Sequence, residues 1–103
     1  MRDMSCYVYV KLHTRGSVSV LAICDEDLLG KSFREGMLKL EVKRDFYGER
    51  KVPIDEALRM IEEAEIVNMV GRNVIGEAIR RGLIPSEGVI TIAGVPHVQI
   101  IKL

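Results

Sequence analysis

From residue 6 to 13 the chain alternates without a break, with Cys6, Val8, Val10 and Leu12 on one face and Tyr7, Tyr9, Lys11 and His13 on the other. A period of two is that of a strand with one buried face. Thr14-Arg15-Gly16-Ser17 is rich in turn formers, and residues 18–24 return as a more thoroughly apolar strand, which predicts a hairpin. Asp25 stands where a helix N-cap would, ahead of one turn over Glu26-Asp27-Leu28-Leu29 that Gly30 ends. Residues 31–36 read as a loop, and residues 37–43 alternate again, with Leu38, Leu40 and Val42 inward and Lys39, Glu41 and Lys43 outward.

Residues 44–51 read as a connecting loop with Phe46 and Tyr47 at its centre. Pro53 suits the first position of a helix, and Ile54, Ala57, Leu58, Ile61 and Ala64 recur at helical spacing up to Glu65. Residues 66–70 are β-branched and predict a buried strand, with a continued helix as the alternative. After Gly71, the positions of Val74, Ile75, Ala78 and Ile79 mark a second amphipathic helix that Arg80-Arg81-Gly82 closes. Gly76 costs about 1 kcal/mol against alanine in mid-helix, and a close approach to a sheet would account for it. If the strands on either side share a sheet, this helix makes a right-handed crossover.

The last stretch holds two β-branched runs around Gly94-Val95-Pro96-His97. Gly94 and Pro96 are breakers, so this segment predicts a hairpin bend or a bulge with His97 and Gln99 set at it. The order β-β-β-α-β-α-β-β is that of one α+β domain over residues 1–103. Its mixed, mostly antiparallel sheet carries two main helices on one face.

Composition narrows the function classes. Fifteen basic and fifteen acidic residues balance in 103, so contact with a polyanion has to come from a local patch. Cys6 and Cys24 make no disulfide framework. With Arg15-Gly16 as the turn, Cys6 would oppose Asp25 and the thiols would lie on opposite faces of the sheet, reduced. There is no signal pattern and no apolar run near the ~20 residues of a membrane span, so a soluble cytoplasmic protein is expected.

Four places carry candidate chemistry. His97 with Gln99 could act as acid, base or ligand, against the plainer role of bonding the turn's own backbone. With His13 the only other histidine, no metal site is expected, and no cofactor motif is present. Cys24-Asp25 at a strand end could be an activated thiol, but Asp25 would raise its pKa, and a buried structural cysteine fits better. Gly71 and Arg72 at a helix start could hold a phosphate. Lys31, Arg34, Lys43, Arg44, Arg50 and Lys51, interleaved with Phe46 and Tyr47, could track an RNA backbone and stack on unpaired bases. The competing view has the aromatics pinning a loop to the core and the charges paired with neighbouring glutamates.

Five blocks together resemble an archaeal family, domain of unknown function 424. They are Cys24-Asp25-Glu26-Asp27-Leu28-Leu29-Gly30-Lys31, Phe33-Arg34-Glu35-Gly36, Phe46-Tyr47-Gly48, Asn68-Met69-Val70-Gly71 and Gly94-Val95-Pro96-His97-Val98-Gln99. In the last block the family usually has alanine where Val98 stands. The resemblance implies an archaeal cytoplasmic protein with RNA as a suggested partner, and it implies no reaction. The leading expectation is a non-catalytic RNA-binding protein, associated with translation. The alternatives are a small enzyme built on His97, Gln99 and Asp25, and an interaction module that pairs an edge strand with a partner or with a second copy.

Overall fold

In the computed structural model, residues 6–102 are described. Strands β1 (Tyr7–Arg15) and β2 (Val18–Asp25) form the expected antiparallel hairpin, with Arg15 opposite Val18 and Val8 opposite Asp25. The turn is therefore Gly16-Ser17, two residues of register away from an Arg15-Gly16 turn. A shift of two keeps the parity, so Cys24 opposes Tyr9 while Val8 and Val10 point to the other face.

β3 (Ser32–Glu35) and β4 (Leu38–Glu41) make a separate two-stranded hairpin, where a loop was expected for the first of them. Only Phe33 is apolar in β3, so alternation carries no signal there and pairing with β4 makes the strand. The expected loop at 44–51 resolves into one helical turn, α1 (Arg44–Tyr47), and the start of β5 (Arg50–Pro53), which pairs with β1. Pro53 ends that strand and caps α2 (Ile54–Met60), which a 3₁₀ turn extends to Glu63. β6 (Ile66–Val70) is a strand, α3 (Arg72–Arg80) follows, and β7 (Ile90–Ile92) and β8 (Val95–Ile101) close the chain.

The main sheet runs β5-β1-β2-β6-β8-β7. Its one parallel pair among the described residues is β2 with β6, and the other neighbours are antiparallel. α3 links β6 to β7, which run the same way with β8 between them.

Both faces of the sheet are covered. Leu21, Ile23, Val67, Met69 and Val98 pack under α2 and α3 with Ala57, Leu58, Val74, Ile75 and Ala78. On the opposite face Ala22, Cys24, Val70 and Ile92 meet Leu40, Val42 and Tyr47 from the β3–β4 hairpin and α1. Being buried on both sides is why residues 21–24 are an unbroken apolar run.

The closing bend lies one step earlier than the breakers suggest. Ala93 and Gly94 form a two-residue turn with φ of 53° and 81°, and Ile92 opposes Val95. Two successive positive φ values match the twist of a hairpin. His97 and Gln99 are thereby interior positions of β8, opposite Val70 and Asn68, and not bend residues. Gly76 also departs from expectation: it is exposed, and a Cβ there meets nothing within 4 Å. None of the described helices is long and apolar enough to cross a membrane.

With open space at Gly76, its replacement by alanine removes a propensity cost without adding a contact. Gly76→Ala is expected to stabilise the fold by about 0.5–1 kcal/mol in urea denaturation. A destabilised variant would contradict the open environment.

Candidate functional site

The centre of the sheet ends at Cys24 and Val70, side by side in the parallel pair. The next residue of β2, Asp25, is only 3% exposed, and its carboxylate spans to the first turn of α3. Oδ2 accepts the Asn73 N–H at 2.8 Å and Oδ1 the Val74 N–H at 2.9 Å. Asp25 thus caps a helix 48 residues away and makes no side-chain cap to the 3₁₀ turn that follows it. The close passage needs Gly71: a Cβ there would sit 2.3 Å from Asp25 Cγ, and its φ of 121° suits glycine alone.

This arrangement corrects the anion reading of Gly71 and Arg72. The Gly71 N–H is spent on the Pro96 carbonyl at 3.0 Å, and the Asn73 and Val74 N–H groups on Asp25. A carboxylate of the chain itself occupies the place a phosphate would take.

Beside the cap lies a cleft of about 250 Å³, lined by Asp25, Asp27, Leu28, Arg72, Asn73 and the backbone turn at Gly94, Val95 and Pro96. It brings Asp25 to the Gly94 segment, as the enzyme alternative requires. His97, Gln99 and Cys24 do not line it. Burial, with Asp25 next to it, pushes the Cys24 thiol up to about 12, so it is a structural thiol. Burial lowers the His97 imidazole below its ordinary value. Burial likewise raises the Asp25 carboxyl, with the Asn73 and Val74 N–H groups opposing it.

A second, shallower groove of about 320 Å³ runs along the base of the β3–β4 hairpin and collects Lys31, Lys43 and Arg44 with Ser32, Glu41 and Asp45. The hairpin is extended by two further bonds, the Gly30 N–H donating to the Val42 carbonyl at 2.7 Å and the Val42 N–H to the Lys31 carbonyl at 2.9 Å. The Arg44 guanidinium lies over Gly30, within 3.3 Å of where a Cβ would project. Arg34 opposes Lys39 on the hairpin. Glu41 pairs with Lys39 at 3.0 Å and with Lys43 at 3.8 Å, and these cations hold its carboxyl below its ordinary value. Lys31, Arg34 and Arg44 are exposed, and among the described residues none of the three forms a salt bridge.

The rest of the basic set is dispersed. Arg50 reaches Glu56 and Met60 on α2, and Lys51 pairs with Glu26 at 3.0 Å beside the Tyr7 ring. Neither joins the groove. Tyr47 is 4% exposed and belongs to the core, so its ring cannot stack on a base. Phe46 is half-buried and stacked on His13 at 4.7 Å, with His13 Nε2 2.8 Å from the Phe46 carbonyl oxygen. The aromatics are therefore anchors of α1. Lys43, expected among the basic candidates, lines the groove; Lys39 was not singled out, and its outward alternation with Glu41 and Lys43 was the signal that could have found it beside groove-lining Glu41.

A family model described as "Protein of unknown function (DUF424)" matches residues 12–103. No curated protein matches the chain. Among solved structures, an uncharacterized conserved protein from Methanopyrus kandleri is similar, with a TM-score of 0.77 and 29% identity over 94% of each chain.

Two outcomes follow from the cap. Gly71→Ala is expected to cost about 2–4 kcal/mol, combining backbone strain with loss of the cap, and to speed amide exchange at Asn73 and Val74. Because the Asp25 carboxyl is raised in the folded protein, its contribution to stability is fullest below the ordinary carboxylate range. It falls as pH rises through the folded value. The stability gap between the native chain and Asp25→Asn should therefore narrow from about pH 3 to about pH 7 in parallel denaturation curves. A widening gap would show that the ionised form is the favoured one.

Proposed function

The chain belongs to the DUF424 family of proteins of unknown function, and within it we propose a non-catalytic RNA-binding protein whose contact surface is the outer side of the β3–β4 hairpin. The observation that carries this reading is the open groove between Lys31, Lys43 and Arg44, with exposed Arg34 on the adjoining strand. Five cations, counting Lys39, face Glu41 and Asp45, so a chain of zero net charge has a local positive surplus. Arginine planes and lysine ammonium groups on a shallow, exposed surface suit phosphate oxygens spaced along a strand.

A binding role fits the cleft beside Asp25 better than catalysis does. Asp25 is held by two backbone donors, the Cys24 thiol is neutral, and His97 lies outside the lining. Asp27 is the exposed carboxylate of the lining, and no serine, cysteine, lysine or histidine stands with it there to receive or pass on a group.

Fluorescence anisotropy with a labelled single-stranded RNA tests the assignment. Affinity should fall with salt, with a log–log slope of about −2 to −3, as three or four phosphate contacts require. Combined Arg34→Gln and Arg44→Gln should flatten that slope by about 1.4 and weaken binding at low salt at least about tenfold. Combined Arg50→Gln and Lys51→Gln should leave both within about twofold. Salt-insensitive binding, or equal losses in the two double variants, would overturn the reading.

A further inference from the structure

The two edges of the main sheet are built differently. The β5 edge carries Arg50, Lys51 and Pro53, the usual protection against pairing with another strand. The opposite edge has two steps, because β7 ends at Ile90, opposite His97, while β8 runs on to Ile101. No charged residue falls within β7 or β8. Lys102, just beyond, is turned away, its ammonium on the Ile61 carbonyl and its N–H on the Glu65 carbonyl.

The turn fixes which backbone groups face outward. In a two-residue hairpin the closing pair exchanges both hydrogen bonds, so Val95 and His97 are spent on Ile92 and Ile90. Pro96 and Val98 then face β6, in accord with the Pro96 carbonyl accepting the Gly71 N–H. By the same alternation Gln99 and Ile101 direct their N–H and C=O groups past the end of β7. Both are exposed, Ile101 at 59%, with Ile90 beside them at 52%. The turn at residues 86–88 lies close to β8, since a Cβ added at Gly88 would come 3.7 Å from Val98, and forms no pairing strand.

We infer that this step is a strand-addition site whose occupant is β8 of a second copy of the chain, paired antiparallel about a two-fold axis at Ile100. Parity allows few registers. Outward groups must meet outward groups, and His97 is already covered, so Gln99 opposes Ile101 of the second copy and Ile101 opposes its Gln99. Two reciprocal rungs fill the four exposed backbone donors and acceptors on each side. The strip has no charge with which to select a basic or acidic peptide, and two copies of it meet without like-charge repulsion. Exposed Ile101 and Ile90 then lie beside the seam and gain apolar cover from the join.

This pairing goes beyond RNA binding and stands independently of it. Sedimentation velocity over a concentration series should show a reversible monomer–dimer equilibrium. Ile101→Lys, at an exposed position, should weaken it at least about tenfold while circular dichroism is unchanged. Ile100 meets its own copy in a non-hydrogen-bonded pair, close enough for a disulfide, so Ile100→Cys should oxidise to a covalent dimer whose linked peptide maps to residue 100. A chain that stays monomeric throughout overturns the proposal, and so does a dimer that Ile101→Lys leaves intact. Links that map to Cys6 or Cys24 instead of position 100 would count against this register.

Discussion

One carboxylate ties the two halves of this fold together. Asp25 leaves the end of β2 and takes the first free N–H groups of α3, and it does so across the bare backbone of Gly71. Hydrogen bonds to a charged acceptor are worth about 1.5–3 kcal/mol each, whereas burying an ionised group unpaired costs more than either returns. The pair of bonds is what makes a 3%-exposed aspartate tolerable. It also aims α3 along the sheet, and so determines where the chain re-enters as β7 and β8 and where the cleft beside Arg72 opens.

The other face depends on a different device. A polar hairpin and a single helical turn cover the sheet there, held by Leu40, Val42 and Tyr47 beneath and by the His13–Phe46 stack at one side. Because so few residues face inward, most of β3 and β4 is left to carry charge. On the helical side Asp55, Glu56, Glu62, Glu63, Glu65 and Glu77 stand with Arg59, Arg72, Arg80 and Arg81, so charge of both signs is mixed there.

The sequence told most where one periodicity dominated. β1, β2, β6 and α3 stood out from alternation, β-branched runs or helical spacing, since burial imposes those patterns directly. β3 and β5 did not, because Ser32-Phe33-Arg34-Glu35 and Arg50-Lys51-Val52-Pro53 each offer one core residue and become strands only through a partner. The bend before β8 was misplaced for a related reason. Pro96 looks like a breaker, yet its missing N–H faces the end of β6, and the positive φ at Ala93 has no signature in the residue itself. The cap was out of reach: a residue beside a helix start 48 positions away becomes visible only when β2 and β6 are known to be neighbours. The groove was half legible, as Lys31, Lys43 and Arg44 converge while Arg50 and Lys51 do not.

The strand order carries a consequence for how the chain comes together as it is made. β2 needs β6, which is synthesised some forty residues later, and β6 in turn needs β8, which is synthesised later still. Until residue 70 has emerged from the ribosome, the inner edge of the most apolar strand faces no neighbour, and a nascent chain must keep it from strangers. A middle strand that arrives late makes assembly a non-local, and therefore slow, event. Residues 21–25 are thus an open apolar edge for that interval, the transient exposure that makes unfinished chains prone to aggregate.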